Sequence, residues 1–178
     1  RADGAAPPGG RKAGSRGDSL FAWTLAKSFL SSPVALIQTI DERLARRRAR
    51  AAAAAGPASP TSPQLSEQSR ALARLRELAV AANTTDSGKY QALLAELRRI
   101  GISRSSTERA VVFAERIATL TWLAEHLRED LNLPPEAVRV MHGSLSDVEQ
   151  QEIVEQFRQS HTPVRVLVTG DVASEGVN

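Results

Sequence analysis

The sequence predicts an α/β fold in which a parallel sheet follows a mostly helical segment. Three short apolar runs, Ala110–Phe113, Val138–Met141 and residues 164–169, have the length and β-branched content of buried strands. Amphipathic helical segments separate the three runs, and such strand–helix–strand connections are right-handed crossovers between parallel strands. The third run leads into residues 170–178, a turn of small and polar residues at the sheet edge where open α/β folds bind ligands.

The composition excludes several classes of site. Hydrophobic residues make up 42% of the chain but aromatic residues only 4%, so the core must rest mainly on Leu, Ile, Val and Ala. The absence of Cys excludes disulfides, thiolate catalysis and Cys-ligated zinc. The three histidines, His126, His142 and His161, lack the spacing of a metal site, so we expect no metal.

The sequence also predicts a protein without a membrane segment. No apolar stretch approaches the ~20 residues that span a bilayer, and no signal-peptide pattern appears in these residues. The chain begins with Arg1 and stops inside the turn at residues 170–178. We therefore expect a fragment of a longer, cytoplasmic protein, in which the sheet is incomplete.

Positive charge is concentrated in the first part of the chain. Residues 1–64 hold ten Lys and Arg against four Asp and Glu, whereas residues 65–178 hold thirteen against sixteen. A basic segment of this kind suits a nucleic-acid partner. A solvated Arg- and Ala-rich connector is the alternative, and the composition alone favours the connector slightly.

The first 64 residues predict an arm, a helical insertion and a linker. Residues 1–17 are rich in Gly, Pro, Ala and Arg without a hydrophobic period, which predicts a disordered arm. Residues 18–55 predict a helical insertion, because Ser32 and Pro33 are typical of a helix start after a first apolar helix. Residues 56–64 are rich in Pro and predict a linker. The apolar residues of the first helix are Leu20, Phe21, Trp23, Leu25 and Phe29.

Residues 65–107 predict a helical lead-in to the sheet. Two amphipathic patterns, residues 65–82 and 89–100, indicate helices. Gly101 follows the second helix at the usual position of a C-cap glycine.

Residues 108–178 predict the sheet-bearing domain. A helix is expected over residues 115–131 between the first two strands. Ser146 and Glu149 have the spacing of a capping box, which opens a helix that extends to residue 159. We expect this helix to bury Val148, Ile153, Val154 and Phe157.

The loops that follow the three strands are the candidate ligand site. They comprise residues 114–116, 142–145 and 170–178, and the carboxyl ends of parallel strands share one edge of the sheet. Each loop alone is equally well explained by the turn and capping needs of an α/β unit. The three loops together, in this order, favour a ligand-binding rim.

The loops and strands carry a resemblance to a known family. Ala110-Val-Val-Phe-Ala-Glu115 resembles motif IV of helicases, and Val140-Met-His-Gly-Ser144 followed by Phe157-Arg158 resembles the block between motifs IV and V. Residues 166–178 resemble motif V. Residues 109–178 thus resemble the second RecA-like domain of superfamily 2 helicases and translocases, and residues 86–94 resemble the segment that leads into it. Residues 174–178 are most similar to the Swi/Snf-like branch, especially bacterial RNA-polymerase-recycling ATPases and phage-defence helicases.

The resemblance implies an ATP-dependent motor with a nucleic-acid track. In this family ATP and Mg²⁺ lie between two RecA-like domains, of which the first supplies the phosphate-binding loop. The resemblance implies that Gly176 permits close backbone approach and that Asn178 bonds near the ribose or phosphates. It assigns phosphate-backbone contact or interdomain signalling to Thr169, Gly170 and Ser174.

The same resemblance assigns the lining of the nucleic-acid track to Glu115, Arg116, His142 and Gly143. Such backbone contacts position a strand without identifying its sequence. Local roles are the alternatives, since Thr169 could cap its strand, Asp171 the following turn, and His142 could be an ordinary turn histidine.

The implied partners are DNA, with RNA as the alternative track, and the first RecA-like domain of the same chain. RNA polymerase or a subunit of a defence system is the implied protein partner.

Motor motifs outside this domain do not occur in the sequence. It contains neither a Gly-x-x-x-x-Gly-Lys-Ser/Thr loop nor an Asp-Glu-x-Asp/His box, and the arginines of motif VI would follow Asn178. Ser87-Gly88-Lys89 is not such a loop, since no buried strand precedes it. We therefore expect no catalytic residue and no ATP hydrolysis in this fragment, and hydrolysis by the full-length protein.

Two other functions remain open from the sequence. One is a non-catalytic module, in which a degenerate helicase-like domain and the basic helices bind nucleic acid or a protein. The other, a Rossmann-type nucleotide enzyme, is disfavoured because no Gly-x-Gly-x-x-Gly follows any strand.

Overall fold

The computed structural model describes residues 14–54 and 63–170. Four helices precede the first strand, and two helices and a short 3₁₀ turn connect the three strands. In chain order the elements are α1 (Gly14–Ser31), α2 (Pro33–Ala54), α3 (Pro63–Ala82), α4 (Gly88–Arg99), β1 (Ala110–Phe113), α5 (Ile117–Asp130), the 3₁₀ turn Pro135–Ala137, β2 (Val138–Met141), α6 (Asp147–Arg158) and β3 (Val166–Thr169). The arm predicted over residues 1–17 and the linker predicted over residues 56–64 fall mostly outside the described residues.

The three strands form one parallel sheet in the order β1-β3-β2. Phe113 pairs with Thr169, and Met141 pairs with Thr169 on the other side, so all three strands end at the same level. Every residue of β3 is buried because this strand has a neighbour on both sides. The prediction of an α/β fold with a parallel sheet is confirmed.

Local sequence signals set most helix boundaries as expected. The Ser32 hydroxyl accepts from the backbone N–H of Ala35 at 3.2 Å, and Ser146 with Glu149 forms the predicted capping box. Gly101 adopts a φ of +87° just past α4, a backbone conformation that disfavours other residues. The helix predicted from residue 115 begins at Ile117, since Glu115 and Arg116 remain in the loop after β1.

The sheet separates two clusters of buried residues, and the N-terminal helices form a third. Side chains of α4 and α5, including Leu94, Leu97 and Leu127, pack with Val166 and Val168 on one face. The other face carries the smaller α6 cluster of Met141, Ile153 and Leu167. The third cluster joins α1, α2 and α3 through Leu36, Ile40, Leu72 and Ala79. The domain limits 18–55, 65–107 and 108–178 stay predictions. Within the predicted lead-in, α4 packs into the core of the sheet domain.

One burial prediction was wrong, and several apolar residues of α1 are exposed. Val148 lies on the solvent side of α6 with 66% of its surface exposed, because five residues before Ile153 correspond to about 140° around a helix. Among the apolar residues of α1 named above, Phe21 and Leu25 pack against the cluster of α2 and α3. Leu20, Trp23 and Phe29 are exposed.

Hydrogen bonds and an ion pair attach the N-terminal helices to the sheet domain. The Thr119 hydroxyl in α5 is buried and bonds the hydroxyls of Ser31 at 3.0 Å and Ser32 at 2.7 Å. Lys27 in α1 pairs with Glu115 at 3.3 Å, and the Lys89 ammonium donates to the carbonyl of Leu30 at 2.7 Å. The turn between α1 and α2 is therefore fixed against α5.

Ionisation of a buried phenol is expected to lower the stability of the sheet domain at alkaline pH. Tyr90 is 2% exposed and donates to an Asp130 carboxylate oxygen at 2.5 Å. Burial, followed by this hydrogen bond, raises the pKa of Tyr90 above its ordinary value of 10. The protonated phenol therefore contributes stability that is fully present below pH 10 and is lost as the pH rises beyond it.

We expect an ultraviolet titration of the folded chain to show the phenol ionising well above pH 10. Tyr90 is the chain's single tyrosine, so the absorbance change has one source. In urea the same phenol should titrate near its ordinary pKa. A Tyr90→Phe variant should lose stability less steeply above pH 10 than the parent chain. A normal phenol pKa in the folded chain would contradict this expectation.

Candidate nucleic-acid interface

The loops after the three strands lie side by side at the carboxyl edge of the sheet. The backbone N–H of Ala114 donates to the carbonyl of Thr169 at 3.0 Å, and the N–H of Gly170 donates to the carbonyl of Met141 at 3.3 Å. These two bonds continue the strand pairing into the loops. The structure thus brings together the loops at residues 114–116 and 142–145 and the start of the third loop.

Glu115 and Arg116 form the loop between β1 and α5. The Glu115 carboxylate is half exposed and is paired with Lys27 at 3.3 Å. Arg116 is the N-cap residue of α5, and its side chain makes no capping bond, since a guanidinium has no acceptor. Its Nε is buried without a hydrogen-bond partner among the described residues. The Arg116 side chain is partly exposed at this edge, and its guanidinium charge is suited to an anionic ligand.

His142 and Gly143 form a tight turn after β2. The Nδ1 atom of His142 accepts from the backbone N–H of Ser144 at 3.3 Å, and its carbonyl accepts from the N–H of Leu145 at 3.1 Å. In a neutral ring this assigns the proton to Nε2, which can then donate. Gly143 is exposed beside it. The turn role of His142 is thus present, and its second nitrogen stays available for a ligand.

Thr169 and Gly170 are buried where β3 ends. The Thr169 hydroxyl donates to the carbonyl of Gly170 at 3.2 Å and has no exposed surface. A Cβ at Gly170 would lie 3.7 Å from the carbonyl oxygen of Ala114 and 3.9 Å from a Leu120 methyl, which are ordinary contacts. Both residues therefore lie beneath the surface of the carboxyl edge of the sheet and support the exit loops.

Residues 171–178 of the third loop lie outside the described part of the chain, and four of them were given a role from the sequence. They are Asp171, Ser174, Gly176 and Asn178. The nucleotide role of Gly176 and Asn178 and the backbone-contact role of Ser174 stay predictions.

A groove adjoins the exit loops, and the sequence predicted only that the basic segment in it could meet nucleic acid. It has a volume of about 910 Å³ and lies between α1, α2 and the loop that contains Glu115 and Arg116. Its α2 wall carries Arg43, Arg46, Arg47 and Arg50. The sequence showed the basic stretch, but its position beside Arg116 depends on packing of α2 against α5, more than sixty residues away in the chain.

Neither a membrane helix nor a metal cluster occurs in the part of the chain that the structure describes. No helix within residues 14–54 and 63–170 is long and apolar enough to cross a bilayer. In the same two segments, no three His, Asp or Glu side chains are grouped as ligands for a metal ion.

Comparison with known proteins gives one family and one informative relative. Residues 88–178 match the family described as helicase conserved C-terminal domain. A human protein, probable ATP-dependent RNA helicase DDX43, is 32% identical over 95 residues, which cover 53% of this chain and 13% of the human protein. The chain therefore spans a small part of the length of that relative. The family match covers half of the chain, from α4 through β3 and beyond, and on this basis the chain belongs to the helicase conserved C-terminal domain family.

Proposed function

We propose that this chain is part of an ATP-dependent nucleic-acid helicase or translocase and contributes its second motor domain. The observation that carries the proposal is the joining of three exit loops at one sheet edge within a domain of the helicase family. This edge presents Arg116, the free nitrogen of His142 and the exposed backbone of Gly143. N–H donors of this kind suit phosphate oxygens, which position a strand.

The proposed work of the domain is to grip the nucleic-acid backbone and to close over ATP. ATP with Mg²⁺ would be bound mainly by the first RecA-like domain of the full-length protein, and its hydrolysis would drive opening of the two domains. Gly176 and Asn178 would face the nucleotide, whereas Glu115, Arg116, His142, Gly143 and Ser174 would face the strand. Thr169 and Gly170 would support both surfaces from beneath, given their burial.

DNA is the proposed track, with RNA as the alternative. The form of residues 174–178 supports a Swi/Snf-like translocase, of the bacterial RNA-polymerase-recycling or phage-defence type. The human relative is named as an RNA helicase, which supports RNA. A non-catalytic binding module is the second candidate, and the arginine-lined groove supports it because binding there needs no ATP.

ATP hydrolysis by the full-length protein tests the proposal. We expect at least a tenfold stimulation by one of three nucleic acids, which are duplex DNA, single-stranded DNA and RNA. Stimulated ATP hydrolysis would identify a motor, and the nucleic acid that stimulates it would be its track. Binding without hydrolysis under any condition would reject the motor and support the non-catalytic module.

Replacing Arg116 by alanine tests the sheet edge itself. We expect the nucleic-acid concentration that gives half-maximal stimulation to rise about tenfold, because one charged phosphate contact is lost. Arg104→Ala is the matched control, since Arg104 is exposed in the loop that precedes β1, at the opposite edge of the sheet. An equal effect of both substitutions would show that only the overall charge matters.

A further inference from the structure

One face of α2 is a stripe of arginines that forms the wall of a groove. Arg43, Arg46, Arg47 and Arg50 are spaced three, four and seven residues apart, so they lie on the same side of the helix. All four line the cavity of about 910 Å³ between α1, α2 and the loop after β1. Like charges at this spacing repel one another in a free helix, so the stripe points to an anionic ligand.

Carboxylates neutralise only part of this charge. The groove is lined by five arginines, including Arg116, against two glutamates. Glu115 already pairs with Lys27 at 3.3 Å, and Glu42 pairs with Arg46 at 3.5 Å. Among the described residues Arg50 has no ion-pair partner, and the groove keeps a net positive charge.

Two of the guanidinium groups are held in place before any ligand binds. Arg43 lies over the ring of Phe21, 4.4 Å from its centre. Arg47 donates to the side chains of Gln68 and Ser69 in α3, which are neutral and leave its charge in place. Because these side chains are already ordered, less conformational entropy is lost when an anion binds. The planar guanidinium fork also matches the geometry of phosphate oxygens.

The groove is continuous with the exit loops of the sheet. Glu115 and Arg116 line both, and the bonds of Thr119 to Ser31 and Ser32 fix α1 and α2 against α5. From Arg43 to Arg50 the stripe extends ~10 Å along the helix axis. That length corresponds to about three nucleotides of a strand that rises ~3.4 Å per residue.

We propose that this groove binds the phosphodiester backbone of a nucleic acid. The α1–α2 unit then extends the track from the sheet edge and is more than a connector between motor domains. The ligand class rests on the proposed function, since the same strand would pass Arg116. The groove differs from the sheet edge in its contacts, which come from α2 and can form without nucleotide.

The test is a binding measurement on the full-length protein without nucleotide, over a series of salt concentrations. The probes are duplex DNA, single-stranded DNA and RNA of equal length. For Arg46→Ala with Arg50→Ala, we expect affinity to fall about tenfold. The slope of log affinity against log salt should decrease by about 1.5, since two phosphate contacts are lost. A loss with one probe alone identifies that nucleic acid as the occupant.

Arg48→Ala with Arg70→Ala is the matched control, because both side chains are exposed, in α2 and α3, and neither lines the groove. If the variant with Arg46→Ala and Arg50→Ala has the same affinity and salt slope as the control, the proposal is overturned.

The proposed motor function and the proposed groove can be rejected separately. If the parent protein shows stimulated hydrolysis and the groove variant binds like the control, only the groove is wrong. If the parent protein binds no nucleic acid, both are wrong.

Discussion

Replacing Leu127 by alanine is expected to lower the opening free energy of the sheet domain by about 3 kcal/mol. The Leu127 side chain is 0% exposed and lies in the cluster that α4 and α5 form against β3 and β2. Alanine would remove three buried carbon atoms and leave a cavity, because rigid strands on one side and a helix on the other cannot close around the gap.

Amide hydrogen exchange in β3 gives the measurement. Exchange of the Val166–Thr169 amides reports the opening of this domain within the full-length protein, whichever other domains are present. Leu78→Ala is the control, since Leu78 is a helical leucine with 54% of its surface exposed, and we expect less than about 1 kcal/mol for it. Equal effects of the two substitutions would contradict the packing described for α5.

Replacing Arg109 by alanine is expected to cost about 2 kcal/mol without weakening nucleic-acid binding. The Arg109 guanidinium donates to the carbonyls of Phe157 and Gln159, each at 2.5 Å. These carbonyls are at the C-terminal end of α6, where backbone acceptors lack helical partners and a positive charge is favourable. The residue thus joins the start of β1 to the end of α6.

Arg109→Lys separates the two contributions of this side chain. Lysine keeps the charge but cannot reach both carbonyls with a planar fork, so we expect a smaller loss of about 1 kcal/mol. Arg109 lies at the amino end of β1, opposite the exit loops, and the affinity of the folded protein for nucleic acid should therefore stay unchanged. A loss of affinity equal to that of Arg116→Ala would contradict this separation of the two edges.

Local signals in the sequence predicted the elements of the fold well. The strands Ala110–Phe113 and Val138–Met141 begin and end as predicted, since short apolar runs with β-branched residues have few alternatives. The third strand begins two residues later than predicted, at Val166. The caps at Ser32 and Ser146 were also predicted, because capping depends on residues within a single helical turn.

Features that depend on distant contacts were not predicted. Helical spacing identifies an apolar face but not whether another element covers it, and hence Val148 was predicted to be buried although it is exposed. The order of the strands is likewise absent from local patterns. The same distinction applies to the candidate site. The exit loops were predicted because they follow directly from the strand ends. The groove depends on a distant contact, because it forms only when α2 lies beside the loop that contains Arg116.

The position of β3 between β1 and β2 sets the order in which this domain can assemble during synthesis. In the described part of the chain β1 and β2 do not pair with each other, and both pair with β3, which is synthesised after them. Before β3 is made, the backbone groups of β1 and β2 lack these strand partners. The apolar faces of α4, α5 and α6 then have no complete sheet to pack against. The N-terminal helices share a cluster of their own and can pack meanwhile. The nascent chain is therefore most open to misassembly and to chaperones just before residues 166–169 emerge.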